Sequence, residues 1–139
     1  MFGTVRELAD GRVELRFERR FAHPRDKVWR ALTESSQLRA WFVEILDYDR
    51  SELSFEPGAS LRFVATGSLP DGTGKVVACD PPSLLEYTWD GETLRWELAP
   101  DGAGCLLVFT NVLPDRETAA AVDDGWRVGL ERLSDALAV

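Results

Sequence analysis

Val13, Leu15 and Phe17 alternate with Glu14, Arg16 and Glu18, a period-two pattern that predicts a half-buried strand ending at Phe21. Pro24 stops that strand and suits the first position of a helix, where its missing N–H would be unpaired in any case. Val28, Ala31 and Leu32 then recur at helical spacing beside Trp29. Ser35 or Ser36 is placed to cap a second short helical piece running to Phe42. Residues 43–56 follow no clear period, although Leu53 and Phe55 suggest a strand entering the Pro57-Gly58 turn. Leu61, Phe63 and Ala65 form the next row, closed by Gly67 and Pro70-Asp71-Gly72, and a strand over 75–79 stops at Pro81-Pro82. Leu85, Tyr87 and Trp89 alternate with Glu86 and Thr88, Asp90-Gly91 is a strong hairpin turn, and Leu94, Trp96 and Leu98 answer on the returning strand. Asp101-Gly102 turns the chain again, into Cys105 to Leu113. After Pro114 the period changes: Ala119, Val122, Trp126, Leu130, Leu133 and Leu137 lie on one face of a long amphipathic helix, with Asp115 as its cap.

This order predicts an α+β fold. It comprises an antiparallel sheet of about six to seven strands, two short helices after the first strand and a long C-terminal helix, an order that can enclose a cavity between a curved sheet and that helix. No repeat, linker or low-complexity stretch interrupts it, so 1–139 reads as a single domain with its core over about 12–138. Residues 1–11 read as a loosely attached leader. A chain of 139 residues buries roughly 68–70% of its unfolded surface, enough for one sizeable core.

Composition narrows the classes. A net charge of −8 argues against a nucleic-acid backbone as partner, because phosphate binding depends on clustered Lys and Arg. Arg16, Arg19, Arg20, Arg25, Lys27 and Arg30 do cluster, but acids and aliphatics interrupt them, which reads as a solvated face. Arg6, Glu7 and Asp10 exclude a secretory apolar segment, and nothing approaches the roughly twenty apolar residues of a membrane span. Cys79 and Cys105 lack metal-ligand spacing. Two free thiols in a cytoplasmic protein is the simpler reading, and a disulfide stays open only if their strands are neighbours.

Pro24-Arg25-Asp26-Lys27-Val28-Trp29-Arg30-Ala31-Leu32-Thr33, followed by Gln37-Leu38-Arg39-Ala40-Trp41-Phe42, closely resembles the opening of the bacterial heat-shock-protein ATPase activator homologues (AHSA-type). Leu85-Glu86-Tyr87-Thr88-Trp89, and Gly125-Trp126 followed by Leu130 and Leu133, fit the same family pattern. The resemblance spans roughly residues 12–138. It implies the START-like, or SRPBCC helix-grip, superfamily, in which a curved sheet grips the last helix and an apolar cavity lies between them. It implies no single chemistry, since that superfamily holds lipid carriers, hormone binders, polyketide aromatase/cyclases and co-chaperone domains.

The aromatic residues are the main functional candidates. Phe63, Tyr87, Trp89, Trp96 and Phe109 fall on alternating rows of successive strands, and Trp126 and Leu130 face them from the helix. Such rows either fill a core or wall a pocket. With Trp41, and with Asn111 as a polar handle or a locally bonded strand residue, they form the expected ligand-binding set. The Tyr87 hydroxyl is a second candidate handle. Gly125 and Gly129 inside the helix mark either close packing on the sheet or an opening beside the cavity, packing being favoured.

Catalytic and metal signals are sparse. His23, the single histidine, stands at a strand–helix junction, and no serine sits in a Gly-x-Ser-x-Gly elbow. Gly67, Gly72 and Gly74-Lys75 lack the spacing of a phosphate loop, with Leu69 where a glycine is needed and Val76 in place of Ser or Thr. Asp47, Asp49 and Glu52, and Asp123 with Asp124, read as solvated acids rather than a cation site. No cofactor, metal or catalytic residue is expected. The leading function is therefore non-catalytic binding of a small apolar or amphipathic ligand by a monomer or homodimer. Two alternatives accompany it: a chaperone-regulating interaction protein associated with stress response, and a cyclase- or hydrolase-like enzyme using Asn111, Tyr87, Asp47 or Glu44.

Overall fold

The computed structural model describes residues 2–138. Strands β1 (Thr4–Glu7) and β2 (Val13–Phe21) lead into helices α1 (Arg25–Thr33) and α2 (Ser35–Leu38). Strands β3 (Ser60–Phe63), β4 (Gly72–Asp80), β5 (Leu84–Trp89), β6 (Glu92–Asp101) and β7 (Gly104–Leu113) follow, and helix α3 (Arg116–Leu137) ends the chain. The seven strands make one curved antiparallel sheet in the order β1-β2-β7-β6-β5-β4-β3, a helix-grip arrangement of the α+β class.

Alternation places the sides as expected. Leu15, Phe17, Leu85, Tyr87, Leu94, Trp96, Leu107 and Phe109 are buried on the face toward α3, which contributes Ala119, Leu130, Leu133 and Leu137. The register sets Trp96 opposite Phe109 and Leu85 opposite Trp96, stacking aromatic rows across neighbouring strands. Arg95 faces the other side, paired with Glu86 and Glu97. The basic residues of the early chain are engaged too: Arg16 with Glu18, Arg20 with Asp101, Arg25 with the Ser83 hydroxyl, and the Lys27 ammonium donating to the Leu137 carbonyl at 2.6 Å.

Several local expectations change. The first residues are not a loose leader: β1 pairs with β2 from Thr4↔Arg16 to Glu7↔Val13, so the two short helices follow the second strand. The Asp123 carboxylate adds a tether, accepting from the Phe2 and Gly3 amides at 2.8 Å each. Asp123 is therefore buried, not a solvated acid. Its periodicity explains why, since it lies four residues after Ala119 and seven before Leu130. Pro24 sits in the cap position before α1, and α2 starts at Ser35 with no side-chain cap bond, because Glu34 holds the capping place. That helix ends at Leu38, and Trp41 and Phe42 follow in a turn. Residues 43–56 form no strand. They lie along β3 through isolated bridges, Leu46 to Ala65 and Glu52 to Arg62. Asp115 does cap α3, accepting from the Thr118 amide and hydroxyl at 2.8 Å each. Cys79 on β4 and Cys105 on β7 are separated by β5 and β6, and both are free thiols.

Candidate functional site

The sheet and α3 do not meet along their whole length. Ala119, Leu130, Leu133 and Leu137 of α3 are buried in the core, while its residues from Ala121 to Arg132 also border a cavity of about 650 Å³. One wall is the turn after α2, with Trp41, Phe42, Val43 and Ile45; a second is the β5–β6 hairpin and β7, with Trp89, Leu94 and Asn111; the third is α3. Ala121, Val122, Gly125, Val128, Gly129 and Arg132 recur at three- and four-residue intervals, which puts them on one stripe of that helix.

The expected aromatic set divides into two groups. Phe63, Tyr87, Trp96, Phe109 and Leu130 are buried in the core and do not line the cavity. Trp96 and Phe109 stack with centroids 3.9 Å apart, Trp41 meets Trp96 edge-on at 5.6 Å, and Phe63 stacks on Trp89 at 4.0 Å. The rings fill the deep interior, so Phe63, Tyr87, Trp96 and Phe109 pack the core instead of walling the pocket as the expected binding set had them. The Tyr87 hydroxyl is occupied at depth, accepting from the Trp96 indole at 3.3 Å, and burial pushes its pKa well above the usual phenol range. Trp41, Trp89, Asn111 and Trp126 are the members that reach the cavity.

Asn111 lines the cavity and is bonded locally. Its amide donates to the Thr93 carbonyl at 3.0 Å and to the Glu92 carboxylate at 3.4 Å, while its oxygen accepts from the Trp126 indole at 3.1 Å. Its polar atoms are thus bonded locally, and by holding the Trp126 N–H they orient that ring beside Phe42, 5.9 Å away between centroids. A buried amide with all its partners fixes side chains rather than leaving them to rotate.

Charge gathers at the cavity mouth. Arg132 on α3 is ion-paired with Glu44 in the turn after α2, bridging two walls. Asp90 and Glu92 flank the β5–β6 turn, where Asp90 and Gly91 both take positive φ, as a two-residue hairpin requires. Asp90 accepts from the Thr73 amide at 2.9 Å, pinning the turn to β4. Partial burial raises the Glu92 carboxyl above the usual range, an effect its bond from Asn111 partly offsets.

The two glycines of α3 separate as well. A Cβ at Gly129 would lie 3.5 Å from the Trp41 carbonyl oxygen, in ordinary contact, whereas one at Gly125 would meet nothing within 4 Å. Gly125 therefore belongs to the opening. The sequence reading missed Phe42, Ile45 and Arg132 as cavity residues, favoured packing over the opening for Gly125, and weighed Glu44 only as a catalytic group. Ile45 shows itself only in the structure, as a large apolar residue left 48% exposed. Among the described residues no three His, Cys, Asp or Glu side chains gather as a metal site, and no helix is long and apolar enough to cross a membrane.

Residues 22–138 match the family described as Activator of Hsp90 ATPase homolog 1-like protein. No curated protein matches the chain. Among solved structures, CalU16 from Micromonospora echinospora is 23% identical with a TM-score of 0.72, over 96% of this chain and 82% of that one. Protein MLL2253 from Mesorhizobium loti is 23% identical with a TM-score of 0.75, over 89% of this chain and 96% of that one. EF2215 from Enterococcus faecalis, a conserved protein of unknown function, is 25% identical with a TM-score of 0.74, over 97% of this chain and 76% of that one.

Proposed function

The chain belongs to the Activator of Hsp90 ATPase homolog 1-like family, and from that premise we propose that it binds a small apolar or amphipathic molecule in the cavity between the sheet and α3. The supporting observation is an opening of about 650 Å³ walled by Trp41, Phe42, Trp89 and Trp126 in a fold whose deeper interior is filled. That volume is within the usual range for small-molecule sites, and an apolar lining with a few placed polar groups is their usual make-up. Each 100 Å² of apolar ligand surface removed from water contributes about 2.5 kcal/mol, set against the cost of association. Trp41, Trp89, Asn111 and Trp126 form the binding set in this reading. Phe63, Tyr87, Trp96, Phe109 and Leu130 support it from behind.

Native mass spectrometry of the purified protein, with organic extraction of whatever it carries, tests the proposal. A discrete added mass lost on denaturation supports it. A clean unliganded mass together with no binding of an apolar fluorescent dye refutes it. The family description supports a second reading, regulation of a chaperone ATPase. A change in the chaperone's ATPase rate at micromolar concentrations of this protein supports that reading, and no change removes it.

A further inference from the structure

We propose that the cavity selects organic cations: molecules with a ring-sized apolar body and one protonated amine, the amine seated at the Glu92 carboxylate beside the rings of Phe42, Trp89 and Trp126. This rests on the cavity being a binding site and adds the chemical class of its ligand.

The charged residues lining the cavity are Glu44, Asp90, Glu92 and Arg132. The one cation, Arg132, is already paired with Glu44. Among the described residues neither Asp90 nor Glu92 is in an ion pair. Asp90 bonds to the Thr73 amide, and among the described residues Glu92 accepts only the long 3.4 Å bond from Asn111. An ionised carboxylate has about four lone-pair positions, so Glu92 keeps most of its accepting capacity.

The lining is therefore negative by two charges after the Arg132–Glu44 pair cancels, in a chain whose own net charge is −8. An incoming carboxylate would face Asp90 and Glu92 and would have to displace Glu44 to reach Arg132. An ammonium meets the opposite situation at Asp90 and Glu92. The carboxylate accepts its protons, and aromatic faces attract a cation through their ring quadrupoles. The Trp126 N–H is held by Asn111, which leaves the ring surface rather than its donor for the ligand. The raised pKa of Glu92 agrees, since a half-buried carboxylate without a cation is the group an ammonium would relieve.

Three probes of one shape test this: 1-naphthylmethylamine, 1-naphthalenemethanol and 1-naphthoate, titrated by isothermal calorimetry at pH 7 and low salt. The ammonium should bind at least about tenfold tighter than the alcohol, the scale of one charge-assisted hydrogen bond, and the carboxylate weakest. Glu92→Gln should remove most of the gap between the ammonium and the alcohol, and Asp90→Asn should narrow it by a smaller factor. Equal affinities, or a carboxylate bound tightest, overturn the charge preference and leave the cavity reading standing. Binding of none of the three overturns both. A preference that survives in both variants, each folded by circular dichroism, overturns the assignment to these carboxylates.

Discussion

Gly125 lies within α3, where glycine costs about 1 kcal/mol relative to alanine because it leaves the unfolded chain more freedom and contributes no side chain. A methyl group there meets nothing within 4 Å, so alanine brings the helix gain without a clash. Gly125→Ala should therefore stabilise the protein by about 1 kcal/mol, a rise in Tm of about 3–4 °C for a chain of this length. Gly125→Phe tests the space itself. Phenylalanine is a poorer helix former than alanine, so stability should stay close to that of the parent, but the ring projects from the middle of the stripe that lines the cavity. Binding of a naphthalene probe, followed by tryptophan fluorescence, should fall by at least about tenfold, which is 1.4 kcal/mol. Thermal melts followed by circular dichroism give the stability side of the comparison. A lower Tm for Gly125→Ala would mean that the position is packed after all. Unchanged probe affinity in a folded Gly125→Phe protein would mean that the ligand sits elsewhere.

Three further outcomes follow from the same geometry. Because the Glu92 carboxyl is raised above its ordinary value of 4.5, the folded protein holds a proton that the unfolded chain has released. Stability should then fall as pH rises through that window, and Glu92→Gln should flatten the slope and raise Tm at neutral pH; melts from pH 4 to 8 that superimpose on the parent's refute this. Asp123→Asn replaces a carboxylate that accepts two amides with a group that accepts only on one side, and should cost about 1–2 kcal/mol while hastening amide exchange over Thr4–Glu7. Unchanged exchange there would detach β1 from this tether. Trp96→Ala removes a fully buried ring stacked on Phe109 and should cost about 3–5 kcal/mol, lowering Tm by about 10–17 °C, and a loss under 1 kcal/mol would contradict close packing at that point.

The strands that alternate cleanly were the ones legible in advance. Leu85, Tyr87 and Trp89, and Leu94, Trp96 and Leu98, have one buried face each, so parity alone sets which side every residue takes. The long helix was legible for the same reason, and Asp115 marked its start because a carboxylate before an apolar period satisfies an amide that the helix leaves unpaired. β1 was not, because Thr4–Glu7 is mostly exposed and is held by backbone pairing and by Asp123 from the far end of the chain. Nor was the path of 43–56, which rests on two isolated bridges and on side chains such as Ser51, whose hydroxyl accepts from the Val64 amide at 2.9 Å.

By itself, then, the sequence determined the class of fold through the spacing of apolar residues along one chain, while the family, and with it the gripping of α3 by the sheet, was implied by a resemblance carried by particular residues such as Pro24 to Thr33 and Gln37 to Phe42. It also put the right aromatics on the right face. Only the tertiary structure decided which of them fill and which of them line. Trp96 and Trp126 look alike in periodicity, yet one is sealed between Trp41 and Phe109 while the other borders open space beside Gly125. The Arg132–Glu44 bridge was likewise decided there, as was the lack of an ion-pair partner for Glu92 among the described residues. The physical reason is that period reports direction from the backbone, whereas a cavity and its charge depend on distances between elements far apart in sequence.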